Sequence, residues 1–168
     1  MAGFNLDSFI SENRDFARGY TFYVSIPARD GEFGKRLVKS SRLPTSTIPI
    51  AEVNWQGNKY KIGTTQEYAE FSITYNSDPA DDLRRLYLQW MNDVHNVANN
   101  IHGDPSLYMQ DITLEHLSHT TGAPIMVYTL VYAWPSSVGE LALDYGSKEV
   151  ATFDVTFNYQ YHEVTGVN

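Results

Sequence analysis

Apolar and polar residues alternate from Tyr68 to Tyr75. Phe71, Ile73 and Tyr75 fall on one face and Glu70, Ser72 and Thr74 on the other. A period of two is the strand period, so this stretch predicts a strand with one buried and one wet face. The pattern is clearest near the end of the chain. There Phe153, Val155, Phe157, Tyr159 and Tyr161 alternate with Asp154, Thr156, Asn158 and Gln160. Met109 to Leu117 alternates as well. Ile125 to Trp134 is apolar on nearly every position, which places it centrally in a sheet. Tyr20 to Ile26 is rich in β-favouring residues and stops at Pro27, and Phe33 to Ser41 reads as a second strand. Val53 to Ile62 predicts a hairpin turning at Gln56-Gly57-Asn58, reached through a loop over Leu43–Ile50 that holds two prolines. Pro135 to Gly139 predicts a turn and Glu140 to Tyr145 a short strand.

One segment has the helical period instead. Leu83, Leu86, Tyr87, Trp90, Met91, Val94 and Val97 follow the i, i+3, i+4, i+7 template. Asp78 is placed to cap this helix, Pro79 to open it, and Asn99-Asn100 to end it. Leu83, Leu86, Trp90 and Val94, with Trp134 from the central strand, are the expected packing between helix and sheet. The whole predicts a mainly β fold with one α-helix, in a single domain over 1–168, with no repeat or linker to divide it.

Composition narrows the function more than the fold. The 168 residues include no cysteine, which removes disulfides, thiolate metal sites and a cysteine nucleophile. The formal charge is −8, but it is divided unevenly. Residues 1–61 hold nine basic against six acidic residues, and 62–168 hold three basic against fourteen acidic. An acidic balance opposes a stable duplex-binding surface, and opposite charge on two parts of one chain suits a subunit that meets copies of itself. The first seven residues lack the basic and apolar regions of a secretory signal, and no window approaches a membrane-spanning length, so a soluble protein without membrane association is expected.

No catalytic constellation emerges. His116 and His119, with Asp111 and Glu115, form the one metal-like group, but residues three apart on a strand point to opposite faces. His95 and His102 read as cations at the helix end, and Asp81-Asp82 as first-turn acids. The segment Gly57 to Gly63 fits neither phosphate-binding glycine pattern. No enzyme activity, metal or cofactor is expected. The 23 aromatics lie at core spacing, and twelve of them are tyrosines, a residue suited to subunit interfaces.

Trp134-Pro-Ser-Ser-Val-Gly-Glu-Leu-Ala-Leu-Asp144, then Glu149 and Phe153-Asp-Val-Thr-Phe157, resembles the closing segment of the tail tube proteins of contractile-tailed, T4-like bacteriophages. The Leu43-Pro44 loop, the basic Asn58 to Gly63 stretch, the alternating strand and the Trp90 helix are similar in order, so the resemblance runs from about Tyr20 to Glu163. It implies a two-sheet β-sandwich or half-barrel. Six such subunits form a ring whose sheets join into one β-barrel, and rings stack head-to-tail into a tube inside a contractile sheath. The implied role is a structural virion protein, assembled in the host cytoplasm, that conducts the phage genome into the host. The implied partners are other copies, the sheath, a baseplate tube-initiator, a tail terminator and, transiently, DNA. On that picture Glu70, Ser72, Thr74, Asp154, Thr156, Asn158 and Gln160 are the expected lumen lining. The arm 43–66, with Pro44, Ile48, Trp55, Lys59 and Lys61, and residues 1–17 as a second arm, are the expected ring-to-ring contacts. The alternative is a tube subunit of a type VI secretion-like or extracellular injection system that delivers protein effectors.

Overall fold

The computed structural model describes residues 19–26, 31–143, 145–146 and 148–166, so the expected arm 1–17 lies outside the described residues. In chain order the elements begin with strand β1 (Phe22–Ser25), helix α1 (Gly31–Leu37) and strands β2 (Val38–Ser41), β3 (Ser46–Thr47), β4 (Ile50–Trp55), β5 (Asn58–Gly63), β6 (Glu67–Tyr68) and β7 (Phe71–Asn76). Helix α2 (Asp82–Val94), β8 (His95–Asn96), β9 (Ile101–His102), α3 (Pro105–Tyr108), β10 (Gln110–Leu117), β11 (Pro124–Val138), β12 (Thr152–Asn158) and β13 (Tyr161–Gly166) complete the chain.

Two antiparallel sheets share one strand. The 15-residue β11 pairs through its first half with β10 on one side and β13 on the other, and β1 extends that sheet beyond β10. Its second half pairs with β12, which leads on to β7 and then β2. The corner between the halves lies at a bulge opposite Asp111, where the ladder slips between Gln110 and Ile112. Tyr132 takes a left-handed φ of 55° there, and its N–H donates to Asp111 Oδ1 at 3.0 Å. A bulge bends a strand, and this one turns β11 from one sheet into the other.

The core lies between these sheets and α2. Phe71, Ile73 and Tyr75 from β7 and Phe153, Val155 and Phe157 from β12 are all buried, together with Leu83, Tyr87 and Trp90 of the helix. The Trp90 indole N–H donates to the Tyr108 carbonyl at 2.6 Å, and its ring packs on Tyr87 and Phe157. Leu86 and Val94 pack half-buried at the edge of this core.

Several expectations change. Residues 31–37 are a helix where a strand over Phe33 to Ser41 was expected, with only Val38–Ser41 extended; the four-residue spacing of Phe33 and Leu37 is the helical signal in that stretch. Among the described residues of the stretch Glu140 to Tyr145, where a strand was expected, none is strand, and residues 141–143 are irregular. The turn expected at Pro135 is strand instead. Pro135 lacks an N–H, and the β11–β12 register slips between Pro135 and Ser137, where a missing donor is tolerated. Helix α2 runs only over Asp82–Val94, and Val97 is exposed beyond it. Asn96 Oδ1 takes the N–H groups of Ala98 and Asn99, and this local turn competes with further helix. Trp134 is half-buried opposite Asn158 and meets Tyr108 edge-on at 6.4 Å, outside the core cluster where helix packing had placed it.

Candidate functional site

The polar face of the second sheet comes from the alternation that builds the core. With Phe71, Ile73 and Tyr75 inward, Ser72 and Thr74 must point outward, and β12 repeats the arrangement with Asp154 and Thr156. The register sets them side by side. Thr74 stands opposite Asp154 on one flank and Ser40 on the other, while Thr156 stands opposite Ser72 and Ser137. Ser72 and Asp154 are exposed, and Thr74, Thr156 and Asn158 are half-buried. A shallow depression of about 490 Å³ runs over this face, lined by Ser40, Ser41, Arg42, Ser72, Thr74 and Asp154.

Two of the expected lining residues sit differently. Glu70 is exposed just before β7 begins, and Gln160 occupies the bend between β12 and β13, where its N–H donates to the Val131 carbonyl at 3.1 Å. The bend divides what reads in sequence as one uninterrupted strand. Ser40, Ser41, Arg42 and Ser137 join the face without having been expected. For β2 the signal was the polar run Lys39 to Arg42, hidden because the strand was taken to begin five residues too early. Arg42 also brings a cation, so the face is only weakly acidic, with Glu70 and Asp154 against Arg42.

The arm is a separate structure. β4 and β5 pair over their full length, and Gln56 and Gly57, with φ of 48° and 82°, make a two-residue turn of the type that matches strand twist. The register sorts its side chains. Ala51, Val53 and Trp55 share a face with Tyr60 and Ile62, while Glu52 and Asn54 share the other with Lys59 and Lys61. Lys59 Nζ approaches Glu52 Oε2 at 3.4 Å, so this lysine has an acid on its own hairpin. Among the described residues nothing covers the apolar face: Trp55 is 63% exposed, Ile62 54% and Val53 45%. A two-stranded hairpin is marginal in water, so this face is made to be covered. Ile48, also exposed, and half-buried Pro44 lie in its root, where β3 pairs with β6.

Beside that root opens a cavity of about 250 Å³ lined by Phe22, Leu43, Leu114, Arg42, Glu115 and His116, with Gly19 and Ser41 at its margin. His119 is engaged elsewhere, its Nδ1 3.3 Å from the Tyr20 hydroxyl, so the two histidines of the metal-like group serve different neighbourhoods. Among the described residues no three His, Asp or Glu side chains gather into a metal site. At the helix end, His95 and His102 face each other across β8–β9, their rings tilted by 39° with centroids 4.5 Å apart.

Titration is perturbed at three places, one being Asp104, whose carboxyl the Ser106 hydroxyl and N–H hold below the ordinary value. Burial pushes the Asp78 carboxyl up, but the N–H groups of Asp82 and Leu83 that it accepts outweigh this and hold it below the ordinary carboxylate value. At the bend, burial raises the Tyr159 phenol, helped by Tyr68, and lowers the His162 imidazole. Neither the Tyr159 hydroxyl nor His162 Nδ1 has a hydrogen-bond partner among the described residues.

The β2 and β1 edges and the outer edge of β13 carry no neighbouring strand among the described residues. No described helix is long and apolar enough to cross a membrane.

Comparison with known proteins gives consistent results. The family model described as phage tail tube protein matches residues 25–165. The tail tube protein gp19 of Enterobacteria phage T4 is 27% identical over 154 residues, covering 90% of this chain and 94% of that protein. Among solved structures, the sheath-tube complex of an extracellular contractile injection system contains a chain with TM-score 0.70 at 17% identity, matched over 98% of this chain and 100% of that one. The tube-terminating cap of the anti-feeding prophage gives 0.73 at 15% identity, over 92% and 94%. At such identities the two structures speak to the fold.

Proposed function

Because this chain belongs to the phage tail tube protein family, a structural component of the virion tail, we propose that six copies close into a ring and that rings stack head-to-tail into the tail tube. The observation that carries this is the open second sheet. Its order is β2-β7-β12-β11, and both β2 and the second half of β11 keep a flank without a strand among the described residues. Exposed edges are a hazard in a soluble protein, and joining β2 of one copy to β11 of the next removes both at once.

In that ring the core face of each sheet turns outward to its own helix, and Ser72, Thr74, Asp154, Thr156 and Asn158 face the lumen, with Glu70 and Gln160 at its margins. Serine, threonine and asparagine give DNA no array of cations to bind, and the two acids repel its phosphates. Genome passage is then a matter of sliding. The hairpin and its root supply contacts between rings. The sheath, the baseplate tube-initiator and the terminator are the remaining partners, and the protein performs no enzymatic step. The effector-delivering alternative rests on fold likeness at 15–17% identity, whereas the relatives at 27% are phage tail tube proteins, which favours a genome conduit.

Electron microscopy of the purified protein tests this reading. Six-fold rings or hollow tubes are expected. Monomers alone, over a wide range of concentration and salt, would overturn it.

A further inference from the structure

The apolar hairpin face and the cavity at the hairpin root are complementary, and one molecule cannot bring them together. Trp55 stands five residues beyond Ile50, roughly 17 Å along the antiparallel ladder and away from the root. We propose that the Trp55 tip of one copy seats in the cavity between Leu43 and Leu114 of the next copy. The inference rests on the tube reading and specifies its contact.

Three observations select a second copy as the occupant. First, the cavity has apolar walls in Phe22 and Leu43, with the buried core residue Leu114 among its lining, and admits one large side chain at about 250 Å³, while Trp55 is an exposed indole at the tip of the paired hairpin. Second, the charges match. Lys59 already pairs with Glu52, so Lys61 on the hairpin's polar face is the cation that Glu115 of the cavity lining can meet, and Arg42 there can stack on an indole. Hairpin and β10 wall thus belong to the basic first third and the acidic remainder of the sequence, which gives the uneven charge a use. Third, the contact is heterologous. Tip and cavity are different surfaces, so each docked copy still offers a free tip and a free cavity, and addition repeats without end. A tube grows in this way, whereas a self-complementary contact stops at a dimer.

The absence of cysteine makes the test clean. Gly19→Cys at the cavity margin is tolerated, because a Cβ there meets nothing within 4 Å, and Asn58→Cys sits across the ladder from Trp55 and leaves the indole intact. The two single variants of the full chain are mixed, assembled and oxidised. A disulfide dimer containing one of each is expected, with none from either variant alone. Tubes without the mixed dimer, or dimers from Asn58→Cys alone, would overturn the docking while leaving the tube reading standing. In parallel, Trp55→Ala should raise the concentration needed for tube formation by about tenfold or more, with an unchanged unfolding transition. Gly19→Phe, which fills the cavity from its margin, should do the same. Assembly of both variants at the concentration of the unaltered protein also overturns the proposal. If the unaltered protein forms neither rings nor tubes, the tube reading itself fails and the docking fails with it.

Discussion

Replacing Trp90 probes the attachment of the helix to the sheets. Its indole is fully buried, its N–H donates to the Tyr108 carbonyl at 2.6 Å, and its ring touches Tyr87 and Phe157. Trp90→Ala removes all of this and leaves a cavity, so a loss of about 3–5 kcal/mol is expected. Trp90→Phe keeps most of the ring contact but strands the Tyr108 carbonyl in a partly buried place. That cost is about 1–3 kcal/mol, and the smaller ring adds to it. Leu88→Ala, on the exposed side of the same helix, serves as the reference and should change stability by less than about 1 kcal/mol. Urea unfolding followed by far-ultraviolet circular dichroism measures all three, under conditions that keep the protein unassembled. For a chain of this size each kcal/mol moves the melting temperature by roughly 2–4 °C, so calorimetry gives an independent check. A Trp90→Phe variant within about 0.5 kcal/mol of the unaltered protein would refute the reasoning, because the Tyr108 bond could not then be what anchors this end of the helix.

Asp78→Ala should cost about 1 kcal/mol at neutral pH, the usual worth of an N-terminal helix acceptor. The Asp78 carboxyl titrates lower in the folded chain than in the unfolded one, so its contribution is complete above the unfolded value near 3.8 and fades as the pH falls through the folded value. The gap between variant and parent measured by acid titration should therefore narrow below about pH 4, and a constant gap would contradict this. Tyr159→Phe removes a buried hydroxyl that has no partner among the described residues, so thermal unfolding should show the variant at least as stable as the parent. Lys59→Glu exchanges an exposed pair with Glu52, worth under about 1 kcal/mol, for a like-charge contact. Sedimentation should show weakened assembly, with folding of the single chain little changed.

The long-period features of this fold are legible in the sequence. Period-two alternation locates β7, β10 and β12 and assigns their faces, and the 3.6-residue stripe finds Leu83, Tyr87 and Trp90, because burial on one side imposes those spacings whatever the tertiary context. What escapes is local. The bend at Tyr159–Gln160 is invisible because alternation continues through it: Tyr159 is buried on one side of the bend and Tyr161 exposed on the other. The strand through Pro135 is missed because proline and two serines are turn residues by composition, and only the slipped register shows how the ladder accommodates them. Helix α1 is missed because seven residues hold barely two turns of pattern. The same error concealed Ser40, Ser41 and Arg42, and with them the cation on the otherwise acidic face. The amphipathic character of the hairpin was partly readable, since Lys59 and Lys61 alternate with Tyr60 and Ile62, but its exposure depends on what the rest of the chain leaves uncovered. The cavity at its root combines residues from β1, β2 and β10, which no local pattern links.

The strand common to both sheets has a mechanical meaning. Where two sheets meet only through side chains, a push on one reaches the other through contacts that slide. Here Pro124 to Val138 passes from one sheet to the other as a single covalent backbone, and β12 and β13 follow it around the same corner, fastened on both sides of the bend. Force applied to one sheet along this strand must stretch or compress peptide bonds before the sheets can shift against each other. For a subunit of a tail tube, β11 is a spar that makes the two layers respond to load as one body.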